Sequence, residues 1–151
     1  MTSYAESVTI PVTPRTYTEI LQFYAEHAQL LDNGLAEAWA DQFTPDGVFS
    51  QNVKPVPKIG RAEIGTGMRR GIDRIAATGA TRRHWFGMVV AEAQPDDSVR
   101  TRYYALVIET PKNGRPSIYL STTGEDVLVR HDRTWLVRSR HVAHDGHDDI
   151  G

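Results

Sequence analysis

The sequence predicts an α+β fold, with N-terminal helices packed on one face of a curved, mostly antiparallel sheet. Three observations carry this. In the first half of the chain apolar residues recur at helical spacing, and Tyr17, Ile20, Leu21, Tyr24, Ala28 and Leu31 fall on one stripe. From residue 82 onward the pattern changes to four long runs rich in β-branched and aromatic residues. Those runs are separated by Asp96-Asp97, Lys112-Asn113-Gly114 and His131-Asp132-Arg133, short turn sequences that make an antiparallel meander.

Residues 1–14 contain Pro11 and Pro14 without helical period and read as an extended arm. The first helix starts there: Thr13 precedes Pro14, which suits the first helical position, and Thr16 with Glu19 has capping-box spacing. Asp32-Asn33-Gly34 breaks this helix, and Asp32 or Asn33 is placed to cap a short second one whose apolar face is Leu35, Ala38, Trp39 and Phe43. Thr44-Pro45-Asp46-Gly47 reads as a turn before a brief strand at Val48-Phe49-Ser50, and residues 54–58 as a Pro-rich loop. A third helix fits residues 61–77, although each of Gly65, Gly67 and Gly71 costs up to about 1 kcal/mol relative to alanine. The strands follow at 82–93, 99–110, 117 to about 130, and 134–142. One domain over residues 15–143 results, with a flexible tail at 144–151.

Composition narrows the function classes. The 151 residues make a single domain with room for a small pocket. A net charge of -2, with the arginines scattered among acids, argues against nucleic acid as a partner. The absence of cysteine excludes disulfides and thiolate chemistry. No run approaches the roughly 18 apolar residues of a membrane span, and no secretory signal is visible, so the expected location is cytoplasmic. The glycines around Thr66 lack the Gly-Lys-Ser/Thr of a phosphate loop, and His141, His144, Asp145, His147 and Asp148 read as a solvated terminus. No cofactor and no metal are implied.

Two polar residues in apolar company carry the chemistry. Asp32 ends the first helical stripe, and His84 opens the run Trp85-Phe86-Gly87-Met88-Val89-Val90. A carboxylate beside an imidazole fixes the tautomer and stabilises the charged ring, an arrangement suited to a general base. Alternation along 99–110 puts either Tyr103 or Tyr104 on the concave side, where a hydroxyl would polarise a substrate carbonyl. Tyr24, Trp39, Phe86 and Met88 are expected to line an apolar wall. Tyr119 shares a face with Ser121 and Thr123, and His141 shares one with Trp135, Val137 and Ser139, so both are placed as substrate contacts. His27 reads as packed at the surface.

The phrases from Leu31 to Trp39, Phe43 to Phe49, Ile59-Gly60-Arg61-Ala62-Glu63-Ile64, Arg83 to Gly87 and Trp135-Leu136-Val137-Arg138 resemble the nuclear transport factor 2-like superfamily. Within it the chain is most similar to SnoaL-like polyketide cyclases and the scytalone dehydratase group. The resemblance implies a cone-shaped half-barrel around a deep apolar cavity, in which Asp32 supports His84. The dehydratases' second catalytic histidine has no match in residues 99–110, so base chemistry is implied but dehydration is not specified. It further implies a cofactor-independent lyase, cyclase or isomerase of antibiotic biosynthesis. Such an enzyme would act on a hydrophobic, carbonyl-bearing small molecule, and a homodimer or higher homo-oligomer is expected. The competing expectation is a non-catalytic ligand-binding module or small subunit of an oxygenase, with Asp32 and His84 apart. An epoxide hydrolase would need an Asp-Arg-Asp arrangement around a water.

Overall fold

The computed structural model describes residues 10–148, so residues 1–9 of the expected arm and 149–151 of the expected tail lie outside it. The elements in chain order are α1 (Pro14–Asp32), α2 (Ala36–Ala40), β1 (Phe43–Gln51), β2 (Lys58–Ile59), α3 (Arg61–Ala76), β3 (Thr81–Ala93), β4 (Val99–Thr110), β5 (Ser117–His131) and β6 (Thr134–His144). The helices pack on a six-stranded mixed sheet of order β2-β1-β6-β5-β4-β3 that does not close into a barrel. All pairings are antiparallel except β1 with β6. No helix among the described residues is long and apolar enough to cross a membrane.

Thr13 caps α1 by accepting the Thr16 N–H at 3.1 Å, with Pro14 in the first turn, so the cap is Thr13 and not a Thr16–Glu19 box. The buried stripe of α1 is Ile20, Phe23, Tyr24, His27, Ala28 and Leu31, rotated from the expected one, and Leu21 is exposed. Asp32 caps nothing. The residue before α2 is Leu35, without a side-chain cap, and the Asp32 carboxylate turns instead toward β3. On the other side of α2, a Cβ on Gly65 would come within 3.0 Å of the Ala40 Cβ, so the glycine that weakens α3 also lets it approach closely.

The sheet bends at four register shifts, each adding residues to one strand of a pair. In β1 the Thr44–Gly47 segment is such an irregularity inside the strand, not a turn before it. In β3 it falls between Gly87 and Val90, with Met88 at φ 52°. In β5 the extra residue is Tyr119, and in β6 it is Arg138. Order continues past the expected boundary at 143. The His144 N–H donates to Asn52 Oδ1 at 2.8 Å, and the Asp145 N–H to the Ser121 carbonyl at 3.0 Å.

The core sits between α1 and the concave face, around Phe23, Trp39, Phe43, Tyr103, Leu128 and Val137. Gly124, opposite Tyr103 on the neighbouring strand, leaves the space into which the Tyr103 ring folds. A Cβ there would overlap that buried ring. Gly124→Ala is therefore expected to cost about 3 kcal/mol in urea unfolding, because Tyr103 cannot retreat without losing its hydroxyl contact.

Candidate functional site

The end of α1 and the start of β3 meet at Asp32 and His84. His84 Nδ1 lies 2.7 Å from Asp32 Oδ1, and the His84 main-chain N–H reaches both carboxylate oxygens at 3.1 Å. A carboxylate accepts only, so Nδ1 carries the proton that it donates, and the lone pair resides on Nε2. Both side chains are partly sheltered, 25% exposed for His84 and 12% for Asp32. Asp32 thus holds ring and main chain of one residue together and fixes the tautomer of the imidazole.

Two cavities share this pair. One, of about 360 Å³, lies between α3 and the start of β3 and is walled by Leu31, Met68, Ile72 and Ile75. The other, of about 700 Å³, is a groove between α1 and β3, walled by Leu21, Tyr24, Ala28, Phe86 and Val89. Asp32, Asn33 and His84 line both.

Of the expected wall residues, Tyr24 and Phe86 line the groove and lie against each other at a tilt of 32°, with ring centroids 5.4 Å apart. Trp39 does not line it. It is buried in the core, stacked on His27 and edge-on to Phe43. Met88 is 77% exposed on the opposite face of the sheet, because the shift after Gly87 turns it outward and Val89 inward. Tyr104 also faces outward and is 60% exposed, so it cannot reach a substrate beside His84. Tyr119, the extra residue of β5, lines neither cavity; it is half exposed with its ring under the Arg82 guanidinium, 4.1 Å from the ring centroid. His141 is exposed on the outer face, with Nδ1 2.7 Å from Ser50 Oγ, and shares an outer cavity of about 380 Å³ with Met88 and Tyr104.

Tyr103 does face inward, but its only hydroxyl proton goes to Asp126 Oδ1 at 2.9 Å. It belongs to a buried polar network that alternation did not reveal. Arg140 grips Asp126 with two N–H groups, each at 2.9 Å, and Tyr24 donates to the second carboxylate oxygen at 2.8 Å. Because the Tyr24 proton is used there, Thr101 donates to the Tyr24 oxygen at 2.5 Å. Arg140 also donates to His27 Nε2 at 2.9 Å, which leaves His27 Nδ1–H to donate to Gln42 Oε1 at 2.7 Å. His27, expected at the surface, is therefore fully buried and neutral. A visible sign of the network was a carboxylate, Asp126, on the same face of β5 as Leu128. Its partner Arg140 was hidden by the Arg138 bulge.

Burial, followed by the charge of Arg140, holds the His27 pKa well below the ordinary 6.5. The unfolded chain therefore binds a proton below that pH that the folded chain refuses. Stability is expected to fall as pH drops through 6.5, by about 1.4 kcal/mol per pH unit from this one residue until the depressed folded pKa is reached. Urea midpoints measured across that range, compared with those of His27→Gln, check the sign: the variant should lose this part of the slope.

A family model for the SnoaL-like domain matches residues 13–141. Among solved structures, ActVI-ORFA from Streptomyces coelicolor is 32% identical, with 89% of this chain and 98% of that chain covered, at a TM-score of 0.83. Aln2 from a Streptomyces species is 30% identical over 89% and 94% of the two chains, at 0.82. A protein from Catenulispora acidiphila, solved in complex with S-DNPA, is 36% identical over 88% and 96%, at 0.78. None of the curated proteins compared matches the sequence.

Proposed function

Because the chain belongs to the SnoaL-like domain family, we propose that it is a cofactor-independent enzyme of the cyclase or dehydratase kind, with His84 as its base. The observation that carries this is the 2.7 Å contact between His84 Nδ1 and Asp32 at the junction of two apolar cavities. His84 Nε2 takes a proton from the carbon beside a substrate carbonyl, and the C–H electron pair moves into an enolate. Asp32 stabilises the imidazolium that forms. The enolate then either expels hydroxide, which takes the proton back from Nε2 as water, or attacks a second carbonyl, whose oxygen accepts that proton. The substrate class is hydrophobic and carbonyl-bearing, as in polyketide intermediates. The apolar walls of both cavities support that choice.

The non-catalytic reading requires Asp32 and His84 apart, and their contact disfavours it. Epoxide hydrolysis is disfavoured too, since Asp126–Arg140 has a single carboxylate, packed against tyrosines in place of an open water site. The test is solvent deuterium incorporation beside the carbonyl of aryl ketones, followed by mass spectrometry. Absence of exchange across a panel of such ketones would sink the proposal.

We also expect a homodimer. The outer sheet face exposes Trp85, Met88, Val90, Tyr104 and Ile118, a concentration of large apolar side chains that an isolated chain rarely leaves to water. Light scattering checks it: a mass of about twice 16.9 kDa is expected, and a monomer at tens of micromolar overturns it.

A further inference from the structure

With Tyr104 and Tyr119 lining neither cavity beside His84, the Tyr17 proton on the Val89 carbonyl, and the protons of Tyr103 and Tyr24 committed to Asp126, no tyrosine among the described residues remains to hold the enolate oxygen. We propose that the main-chain N–H of Phe86 is that donor, an oxyanion site on the open edge of β3; the proposal rests on His84 being the base.

The strand ladder places it. β3 is the last strand of the sheet, so its residues alternate between bonding β4 and facing the free edge. The His84 N–H goes to Asp32, which makes His84 edge-facing, and Phe86, two residues on and before the register shift, faces the same way. Beyond the shift the free edge is covered again. The Val89 carbonyl accepts the Tyr17 hydroxyl at 2.7 Å, and the Ala93 N–H donates to the Ile10 carbonyl at 2.8 Å. Phe86 lies between these capped positions and has no acceptor in β4 by this alternation. An open edge amide is ordinarily a liability for aggregation, and here it lies along a groove between α1 and β3.

That groove is the cavity lined by both His84 and Phe86. Edge amides two residues apart stand about 7 Å from each other, and the His84 side chain projects from the first of them. A carbonyl oxygen received by Phe86 N–H therefore leaves its neighbouring carbon toward the imidazole. In the reaction, His84 Nε2 takes the proton, the C–H pair forms the C=C bond, and the carbonyl π pair settles on the oxygen that Phe86 N–H holds. The proton later returns from Nε2 to the expelled hydroxide or to the new alkoxide, so nothing beyond substrate is consumed. A fixed main-chain donor also suits the task, because it needs no reorganisation as charge develops.

The test replaces the Phe86 amide by an ester, with phenyllactic acid introduced at position 86 by nonsense suppression. This deletes one N–H and keeps the ring. A fluorescent naphthol serves as probe, since its naphtholate mimics the enolate, and naphthalene reports the apolar groove alone. The ester is expected to weaken naphtholate binding about 10- to 100-fold and to leave naphthalene binding unchanged. The same ester at Ala91, also edge-facing but outside the groove lining, should leave naphtholate binding as in the unmodified chain. Unchanged naphtholate affinity in the position-86 ester overturns the proposal, as does an equal loss with Gln29→Leu, which would place the donor on α1. His84→Gln separates the two readings. If it abolishes ketone exchange while the ester has no effect, the base stands and the oxyanion site falls. If it leaves exchange intact, the base reading itself has failed.

Discussion

His84→Ala is expected to slow deuterium exchange of a bound ketone by about 10²–10⁴-fold, with a change in urea midpoint too small to account for it. The variant removes the imidazole but leaves the His84 main-chain N–H to bond both Asp32 oxygens, so α1 stays tied to the edge of β3. Asp32→Asn is the sharper companion. Its carboxamide is nearly the same shape, yet its NH₂ would donate to Nδ1 and force the ring proton onto Nε2, where the base needs its lone pair. A loss of roughly 10³–10⁴-fold is expected from that inversion alone, on the scale seen when the carboxylate of a Ser-His-Asp triad is made an amide. Asp32→Ala, which removes the support without inverting the tautomer, should retain more activity than Asp32→Asn. The order of the two rates distinguishes a tautomer device from a merely structural tether. Equal rates for both variants and the parent would remove the role assigned to Asp32.

Asp32 and His84 were legible as two polar residues at element boundaries, and it was the resemblance to the SnoaL-like and dehydratase group that implied their meeting. The helix that ends at Asp32 and the strand that begins at Thr81 do bring them to one junction. Direction was legible only where the ladder is regular. In β4 the register holds from Val99 to Val107, and the alternation of Val99, Thr101, Tyr103, Ala105 and Val107 is the buried face. Each bulge then reverses the parity downstream. Phe86 turns toward the groove and Met88 away from it, because the shift lies between them. His141 was aligned with Val137, but Arg138 is the extra residue, so Arg140 turns inward and His141 outward. Nothing in a single sequence marks Arg138 as the bulge. Trp39 fails for another reason: periodicity identifies a residue as inside without saying whether it faces a cavity or other side chains.

Asp126→Ala is expected to be the most destabilising substitution in the chain, costing about 3–5 kcal/mol from the broken ion pair alone. Asp126 is fully buried and accepts four hydrogen bonds, two from Arg140 and one each from Tyr24 and Tyr103. Its removal leaves a guanidinium that is 3% exposed without a counter-charge and the Tyr103 phenol without an acceptor, the phenol adding about 1–3 kcal/mol, while Tyr24 can turn its proton to Thr101. Against a domain stability of about 5–15 kcal/mol, that sum is enough to unfold most of the population, and urea or thermal unfolding reads it directly. The cost belongs chiefly to the stranded charge. Asp126→Leu combined with Arg140→Met should therefore be more stable than Asp126→Leu alone, although it lacks one more native side chain. The alkaline limb adds an independent check on the same residues. Burial, reinforced by the Asp126 carboxylate, pushes the Tyr24 and Tyr103 pKa values well above 10.0. Both remain protonated in the folded chain at a pH where the unfolded chain releases its phenolic protons, so stability falls as pH rises through 10.0. Tyr103→Phe should flatten that alkaline slope while leaving ketone exchange at His84 within a fewfold of the parent, because the Tyr103 hydroxyl serves Asp126 and not the substrate. A collapse of exchange in Tyr103→Phe, with folding intact, would return the carbonyl to that tyrosine and displace Phe86 as the donor.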